Sequence, residues 1–226
     1  MEDGKNSVCG QFSKISAVYD SQRRFMIPRF DDFYGAAVSV LDLPPHARIS
    51  DLGAGTGIMA AFVLEKYPDA SCQLVDVSAD MLEKARARFG AGGAVEFLES
   101  DFANWNPESG SFDAVVSALA IHHIDDAQKR ALFSKIFSTL KDGGIFVNAE
   151  QVLCATQAER AAARADREAI IVKHFSEADA AVARKRLLLD KCATVADQKK
   201  WLSDAGFKSV QIRYEYLDFA VFAARK

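Results

Sequence analysis

The chain is short of cysteine and proline and lacks any long apolar run, and each shortage narrows what it can be. Its 226 residues hold four cysteines and five prolines. Cys9, Cys72, Cys154 and Cys192 lie far apart and form no CxxC pair, so a disulfide framework does not underlie the fold and free thiols are expected. No apolar run approaches the roughly 18–20 residues of a membrane span. Met1-Glu2-Asp3-Gly4-Lys5-Asn6 lacks the apolar centre of a signal peptide, and a cytoplasmic protein without a membrane partner is expected. His46, His122, His123 and His174 make no HExxH motif, so no metal site is expected. Charge of neither sign prevails: 28 Lys and Arg against 31 Asp and Glu leave a formal charge of -3. Nucleic acid is therefore not expected as a partner.

What is present is apolar bulk in alternating units. Half of the residues are hydrophobic, enough for the core of one large domain or of one domain carrying a cap. From about Arg48 to Asn148, short β-rich runs alternate with helical ones. Arg48–Leu52 reads as a strand entering a glycine turn, Ile58–Lys66 as a helix stopped by Pro68, and residues 71–77 as a second strand. Ser78 is placed to cap a helix over Ala79–Phe89, which Gly90, Gly92 and Gly93 end. Residues 94–98 and 112–117 read as the third and fourth strands. A helix over residues 125–140 follows, then a turn at Asp142-Gly143-Gly144 and a fifth strand over residues 145–149. This alternation predicts βαβ units and a parallel sheet covered on both faces.

The ends of the chain differ. Residues 11–42 read as helical with a break at Pro28, and Pro44-Pro45 separates them from the sheet. Residues 155–190, rich in Ala, Arg and Glu, read as a helical insertion. Residues 194–205 read as a helix stopped by Gly206, and residues 210–214 and 216–223 as two closing strands. The expected division is an N-terminal helical cap segment, 1–43, and a sheet domain, 44–226, with the insertion at about 155–190. The two helical segments are candidates for a lid, because ligands of such sheets bind outside the carboxyl ends of the strands. Surface bracing is the alternative.

The chemistry concentrates in the turn Asp51-Leu52-Gly53-Ala54-Gly55-Thr56-Gly57. Glycines between a strand and a helix let backbone amides approach a ligand closely. Dinucleotide-binding folds share that feature, but here Ile58 stands where the third glycine of GxGxxG belongs. Asp51 at the strand end would repel a pyrophosphate, yet suits a ligand carrying an ammonium and a sulfonium. Asp76 ends the second strand, where an acid can accept both ribose hydroxyls. Asp101 follows the third strand, within reach of an adenine amino group, with Phe102 placed to pack on the ring. Hydrogen bonds to carboxylates are the stronger class, so a few such acids can orient a cofactor.

Asp51–Gly57, Leu74-Val75-Asp76-Val77-Ser78, Ser100-Asp101-Phe102, Phe112-Asp113-Ala114-Val115-Val116-Ser117 and Leu140-Lys141-Asp142-Gly143-Gly144 together resemble the class I S-adenosylmethionine-dependent methyltransferases. The resemblance covers about 100 residues, in the family's order. It implies a Rossmann-like sheet of seven strands, mostly parallel with the last antiparallel. It also implies S-adenosylmethionine as cofactor and a small-molecule acceptor. Asp51, Gly53, Ala54, Gly55, Gly57, Asp76, Val77, Met81, Asp101, Phe102 and Ala118 are its implied cofactor contacts.

After the fourth strand comes Ser117-Ala118-Leu119-Ala120-Ile121-His122-His123-Ile124-Asp125, which in the resembled family lines the border between cofactor and acceptor. His122 or His123 is a candidate general base; the alternative is a pair that positions the loop. Methyl transfer is an in-line displacement on an activated carbon, so positioning can supply much of the rate, up to ~7–11 kcal/mol. A base is needed only where the acceptor must lose its proton early.

A narrower resemblance involves the run from Tyr19 to Phe30, Arg184-Lys185-Arg186-Leu187-Leu188-Leu189 and Trp201 to Phe207. These segments are similar to the carboxy-S-adenosylmethionine synthases and to methyltransferases sharing their cap. The resemblance implies that Phe30 contacts the cofactor and that Arg186 meets a carboxyl group through its planar fork. Tyr19, Arg23, Arg24 and Arg186 are the candidate acceptor contacts. Two features depart from the synthases: the loop has the ordinary methyltransferase form, and Ala118 stands where they carry an asparagine facing the cofactor. Ordinary methyl transfer is therefore the leading expectation. The alternatives are a synthase-like enzyme using prephenate and an inactive cofactor-binding module. A dehydrogenase fits poorly, and a homodimer through the capping helices is compatible with the sequence.

Overall fold

The computed structural model describes residue 20 and residues 23–90 and 93–226. The expectations for Tyr19 and Gly92 lie outside the described residues. In chain order come α1 (Phe30–Ser39), β1 (Arg48–Leu52), α2 (Ile58–Lys66), β2 (Ser71–Asp76), α3 (Ala79–Phe89), β3 (Val95–Glu99) and β4 (Phe112–Ala118). A 3-10 turn (Ile121–His123) leads into α4 (Asp126–Thr139) and β5 (Leu140–Gln151). Then follow α5 (Gln157–His174), α6 (Glu177–Leu187), α7 (Val195–Asp204), β6 (Ser209–Tyr216) and β7 (Phe219–Arg225).

The strands form one seven-stranded sheet in the order β3-β2-β1-β4-β5-β7-β6. β1 pairs in parallel with β2 and β4, β2 with β3, and β4 with β5. β7 runs antiparallel to both β5 and β6, as the resemblance implied. Chain progression reverses direction between β1 and β4, which opens a crevice at their carboxyl ends. The glycine turn leaves β1 there and the histidine turn leaves β4.

Local sequence explains most of the boundaries. Ser78 caps α3 by accepting from the Met81 amide. Asp125 and Gln128 form a reciprocal capping box on α4, and Thr156 and Glu159 one on α5. The central strand β4 is almost wholly buried because helices cover both sheet faces. Edge strand β6 instead alternates half-buried and exposed residues. One boundary moves. The fifth strand begins at Leu140, and Asp142-Gly143-Gly144 is an irregularity inside it, where the register with β4 shifts between Phe112 and Ala114. A turn-type sequence with Gly143 at φ +78° serves here as a bulge.

Two apolar clusters flank the sheet. Phe33, Tyr34, Ala37 and Val38 of α1 join Met59 and Val63 of α2 and Leu82 of α3 on one side. Phe133 and Ile136 of α4 join Trp201 and Leu202 of α7 on the other. α1 therefore helps build the sheet's own core. The insertion has a smaller cluster: Ile171 of α5 with Ala180 and Ala183 of α6, and Met26 packed against them. The Phe25 ring also stacks on His174, centroids 4.2 Å apart. The segment before α1 and the insertion thus meet each other beside the carboxyl ends of β4 and β5.

Candidate active site

Gly53, Gly55 and Gly57 all take left-handed φ, at +67°, +56° and +79°. The amides of Gly53 and Ala54 both donate to Val75 O, fastening the turn to β2. A Cβ on Gly53 would lie 2.2 Å from the Ala120 Cβ and 3.3 Å from the Phe102 ring, whereas one on Gly55 would meet nothing within 4 Å. The backbone at Gly55 is thus the open approach, while Gly53 is needed for packing. The Gly55 amide donates to Asp76 Oδ2 at 2.8 Å, and the Ser78 amide to Asp76 Oδ1 at 2.9 Å.

Asp51 is fully buried. Its Oδ2 accepts from the Ala60 amide at 3.1 Å. Its Oδ1 is buried and has no hydrogen-bond partner among the described residues. Burial pushes the Asp51 carboxyl up to about 7 against the Ala60 hydrogen bond, and the charge of Asp76 adds to the rise. Asp76 is raised too, again through burial, with hydrogen bonds from the Ser78 and Gly55 amides opposing. A cavity of about 260 Å³ lies against the turn, lined by Arg23, Tyr34, Asp51, Gly53, Gly55, Thr56 and Ala118 among others. A buried carboxylate oxygen awaiting a donor, beside open glycine backbone, fits the ammonium end of S-adenosylmethionine.

The remaining implied contacts are more scattered. Asp101 Oδ1 accepts from the Asn104 amide at 2.8 Å, which makes it a turn residue as well. Val77 is 41% exposed, and Met81 is buried in α3. Phe30 packs into the core against Tyr34 and Phe62. Arg24 lies over the Phe30 ring and pairs with Asp31 at the surface. Neither Phe30 nor Arg24 lines the cavity.

A second cavity, of about 490 Å³, opens beyond the first and is lined by Arg23, His122, His123, Gln151, Arg167, Arg186 and Asp190 among others. Arg23 borders both cavities and donates to Ala118 O at 3.3 Å. His122 Nδ1 lies 2.5 Å from Glu150 Oε1, while the His122 amide donates to Glu150 Oε2 at 3.0 Å. Asp190 Oδ1 lies 3.6 Å from His122 Nε2 and 3.4 Å from His123 Nδ1. The two imidazoles sit edge to face, centroids 4.0 Å apart.

Burial pushes His122 down, but the charge and hydrogen bond of Glu150 outweigh it and the net shift is upward. Burial and the neighbouring His122 push His123 down to about 4, against Asp190. Asp190 is lowered: burial works against it, and the His123 hydrogen bond with the charges of both histidines prevails. Arg186 is pushed down to about 10 by burial and the like charge of Arg23.

The sequence brought His122, His123, Arg23 and Arg186 into view, and the fold gathers them around one space. It did not reveal Tyr34, Glu150, Arg167 or Asp190. Glu150 carried a usable signal, an acid at the carboxyl end of the apolar run Ile145-Phe146-Val147. Asp190 carried none, since it follows Leu187-Leu188-Leu189 in the insertion.

Residues 49–144 match a family model described as a methyltransferase domain. The chain is 26% identical to the carboxy-S-adenosyl-L-methionine synthase of Nautilia profundicola, over 94% of this chain and 92% of that protein. It is 33% identical over 140 residues to malonyl-[acyl-carrier protein] O-methyltransferase 1 of Ilyobacter polytropus, covering 62% of this chain and 50% of that protein. Human N-acetylserotonin methyltransferase, solved in complex with SAM, superposes with a TM-score of 0.61 at 21% identity, over 94% of this chain and 58% of that one. That last likeness shows the fold. The sheet order and the glycine turn at the β1 end agree with the methyltransferase domain matched over residues 49–144 and with the fold of the solved methyltransferase.

Proposed function

We propose that the chain transfers the methyl group of S-adenosylmethionine to a small anionic acceptor held in the cavity between the histidine turn and the insertion. The observation that carries this reading is the buried Asp51 Oδ1, which lacks a donor beside open backbone at Gly55. Asp51 takes the ammonium group. Asp76 takes the ribose hydroxyls, exchanging its hold on the Gly55 amide for them. Asp101 and Phe102 meet the adenine. The cofactor brings a methyl group already activated by its sulfonium, so the protein's own contribution is to hold an acceptor in line and exclude water.

The preference for an anion follows from the guanidinium groups of Arg23, Arg167 and Arg186 around the second cavity. Arg167 is tied to Asp218 by an ion pair; Arg23 and Arg186, which line the same cavity, are the proposed anion contacts. His122, oriented by Glu150, is placed to take a proton from the acceptor where one must leave. The reading includes a cytoplasmic location, because the free thiols Cys72, Cys154 and Cys192 suit a reducing compartment.

A second reading, synthesis of a carboxylated adenosylmethionine from prephenate, is favoured by one specific observation: the similarity to the synthase extends over 92% of that protein. The ordinary glycine loop and Ala118 favour plain methyl transfer. Mass spectrometry of the ligand that co-purifies with the protein separates the two. Adenosylmethionine or adenosylhomocysteine, with methylation of an acceptor from a panel of small carboxylates, supports the first reading. A cofactor heavier by one carboxyl group overturns it in favour of the second.

A further inference from the structure

We propose that His122, His123 and Asp190 form a binding site for one divalent first-row transition-metal ion, with open coordination positions facing the second cavity. The three side chains each offer a ligand atom, and these atoms lie within 4.8 Å of one another. The Asp190 oxygen is 3.6 Å from His122 Nε2 and 3.4 Å from His123 Nδ1. Metal–ligand bonds of about 2.0–2.2 Å at tetrahedral angles put ligand atoms roughly 3.3–3.6 Å apart. Both separations fall in that window before any side chain moves.

The surroundings are those of a prepared site. Glu150 occupies His122 Nδ1 and so turns Nε2 toward Asp190. A metal-bound histidine commonly has such a carboxylate on its other nitrogen, which fixes both the ring and the tautomer. The same Glu150 also accepts from the His122 amide, so ring and backbone share one anchor. The distant ligand is fixed as well: the Lys191 amide donates to His122 O at 2.7 Å. The buried Lys129 ammonium bonds to Lys191 O and to Asp126. The segment bearing Asp190 is thus pinned to the turn bearing both histidines.

Two imidazoles and one carboxylate, without a thiolate, suit zinc, iron(II), cobalt(II), nickel(II) or manganese(II) better than magnesium or calcium. With three protein ligands, the remaining positions face the space that Arg23 and Arg186 also line. Those two cations would repel a bare metal ion, yet stabilise one that carries an anionic oxygen ligand. An acceptor oxygen would therefore bridge metal and guanidinium groups, and the ion, by acidifying the bound acceptor, would take over from His122 the task of freeing its proton. That last role rests on the proposed methyl transfer; binding of the ion does not.

The test uses the full chain, stripped with a chelator and titrated with Zn²⁺, Mn²⁺ and Co²⁺, with Co²⁺ also followed by its visible absorption. Asp190→Asn, His123→Gln and Glu150→Gln are compared with the exposed control His174→Gln, and melting curves of the metal-free proteins check folding. The expected result is one equivalent bound with a four- or five-coordinate cobalt spectrum. Affinity should fall at least tenfold in Asp190→Asn and His123→Gln, roughly 10–100-fold in Glu150→Gln, and stay unchanged in His174→Gln. No stoichiometric binding overturns the proposal, as does binding that survives both ligand substitutions. Calorimetry with S-adenosylmethionine is run in parallel. Cofactor binding without metal sinks the metal site alone; metal without cofactor upholds the site and sinks the reading of the first cavity.

Discussion

The Gly55 amide donates to Asp76 Oδ2 at 2.8 Å, so the end of β2 holds the glycine turn in shape with the same carboxylate proposed to grip the cofactor ribose. Asp76→Ala removes both functions. Calorimetry should show at least a tenfold loss of S-adenosylmethionine affinity, since hydrogen bonds to a charged partner contribute about 1.5–3 kcal/mol each. An unchanged dissociation constant would contradict this placement.

The glycines of the turn are expected to separate packing from binding. In Gly53→Ala the new methyl group meets Ala120 at 2.2 Å, which the neighbouring backbone must relieve. Denaturant titration should show a loss of a few kcal/mol, about 1–3 from overpacking alone. At Gly55 the added Cβ enters open space, and the fold bears mainly the cost of left-handed φ, about 1–2 kcal/mol. Gly55→Val should accordingly remain folded while losing cofactor binding, because its side chain fills the approach. A Gly55→Val protein that still binds would refute the loop assignment.

Asp51 should give the protein a distinct pH dependence. Its carboxyl is pushed up to about 7 when folded, against about 3.9 when unfolded. Below about 3.9 both states hold the proton and nothing changes. Between the two values only the folded state holds it, so stability falls as pH rises and levels off above about 7, by on the order of 4 kcal/mol. A cofactor ammonium compensates the charged form, so cofactor affinity should rise over the same interval. Asp51→Asn should flatten both profiles. A wild-type affinity constant across pH 5–7.5 would remove Asp51 from the ammonium site.

Arg186 should set acceptor preference. The expected result is faster adenosylhomocysteine release with small carboxylate acceptors than with their amides. Arg186→Gln should raise KM for the carboxylate about tenfold or more while leaving cofactor affinity unchanged. Equal turnover of acid and amide by the wild type would assign the anion preference elsewhere.

Asp20 fastens the segment before α1 across the glycine turn. Thr56 Oγ1 donates to Asp20 Oδ1 at 2.6 Å, and Arg88 pairs with Asp20 Oδ2 at 2.8 Å. Asp20→Ala should speed both binding and release of S-adenosylmethionine in stopped-flow experiments, with a smaller change in equilibrium affinity. Unaltered rates would show that this contact does not gate the cavity.

The sequence by itself determined the element order, most boundaries, the parallel sheet and the residues of the glycine turn. Those features rest on local signals: hydrophobic period, caps such as Ser78 and Asp125, and glycines that tolerate left-handed φ. Where local chemistry is ambiguous, reading failed by a few residues, as at Asp142-Gly143-Gly144, which pairs within β5 because β4 supplies a partner strand. Only the tertiary structure decided what surrounds His122. Glu150 is 28 residues away and Asp190 lies at the end of the helical insertion, and no period or spacing encodes such an approach. The absence of HExxH and CxxC excludes only ligands that are neighbours in sequence. The fold brings His122 and His123 of the turn after β4 together with Asp190 after α6, with Glu150 of β5 behind them, and the proposed metal site is such a set.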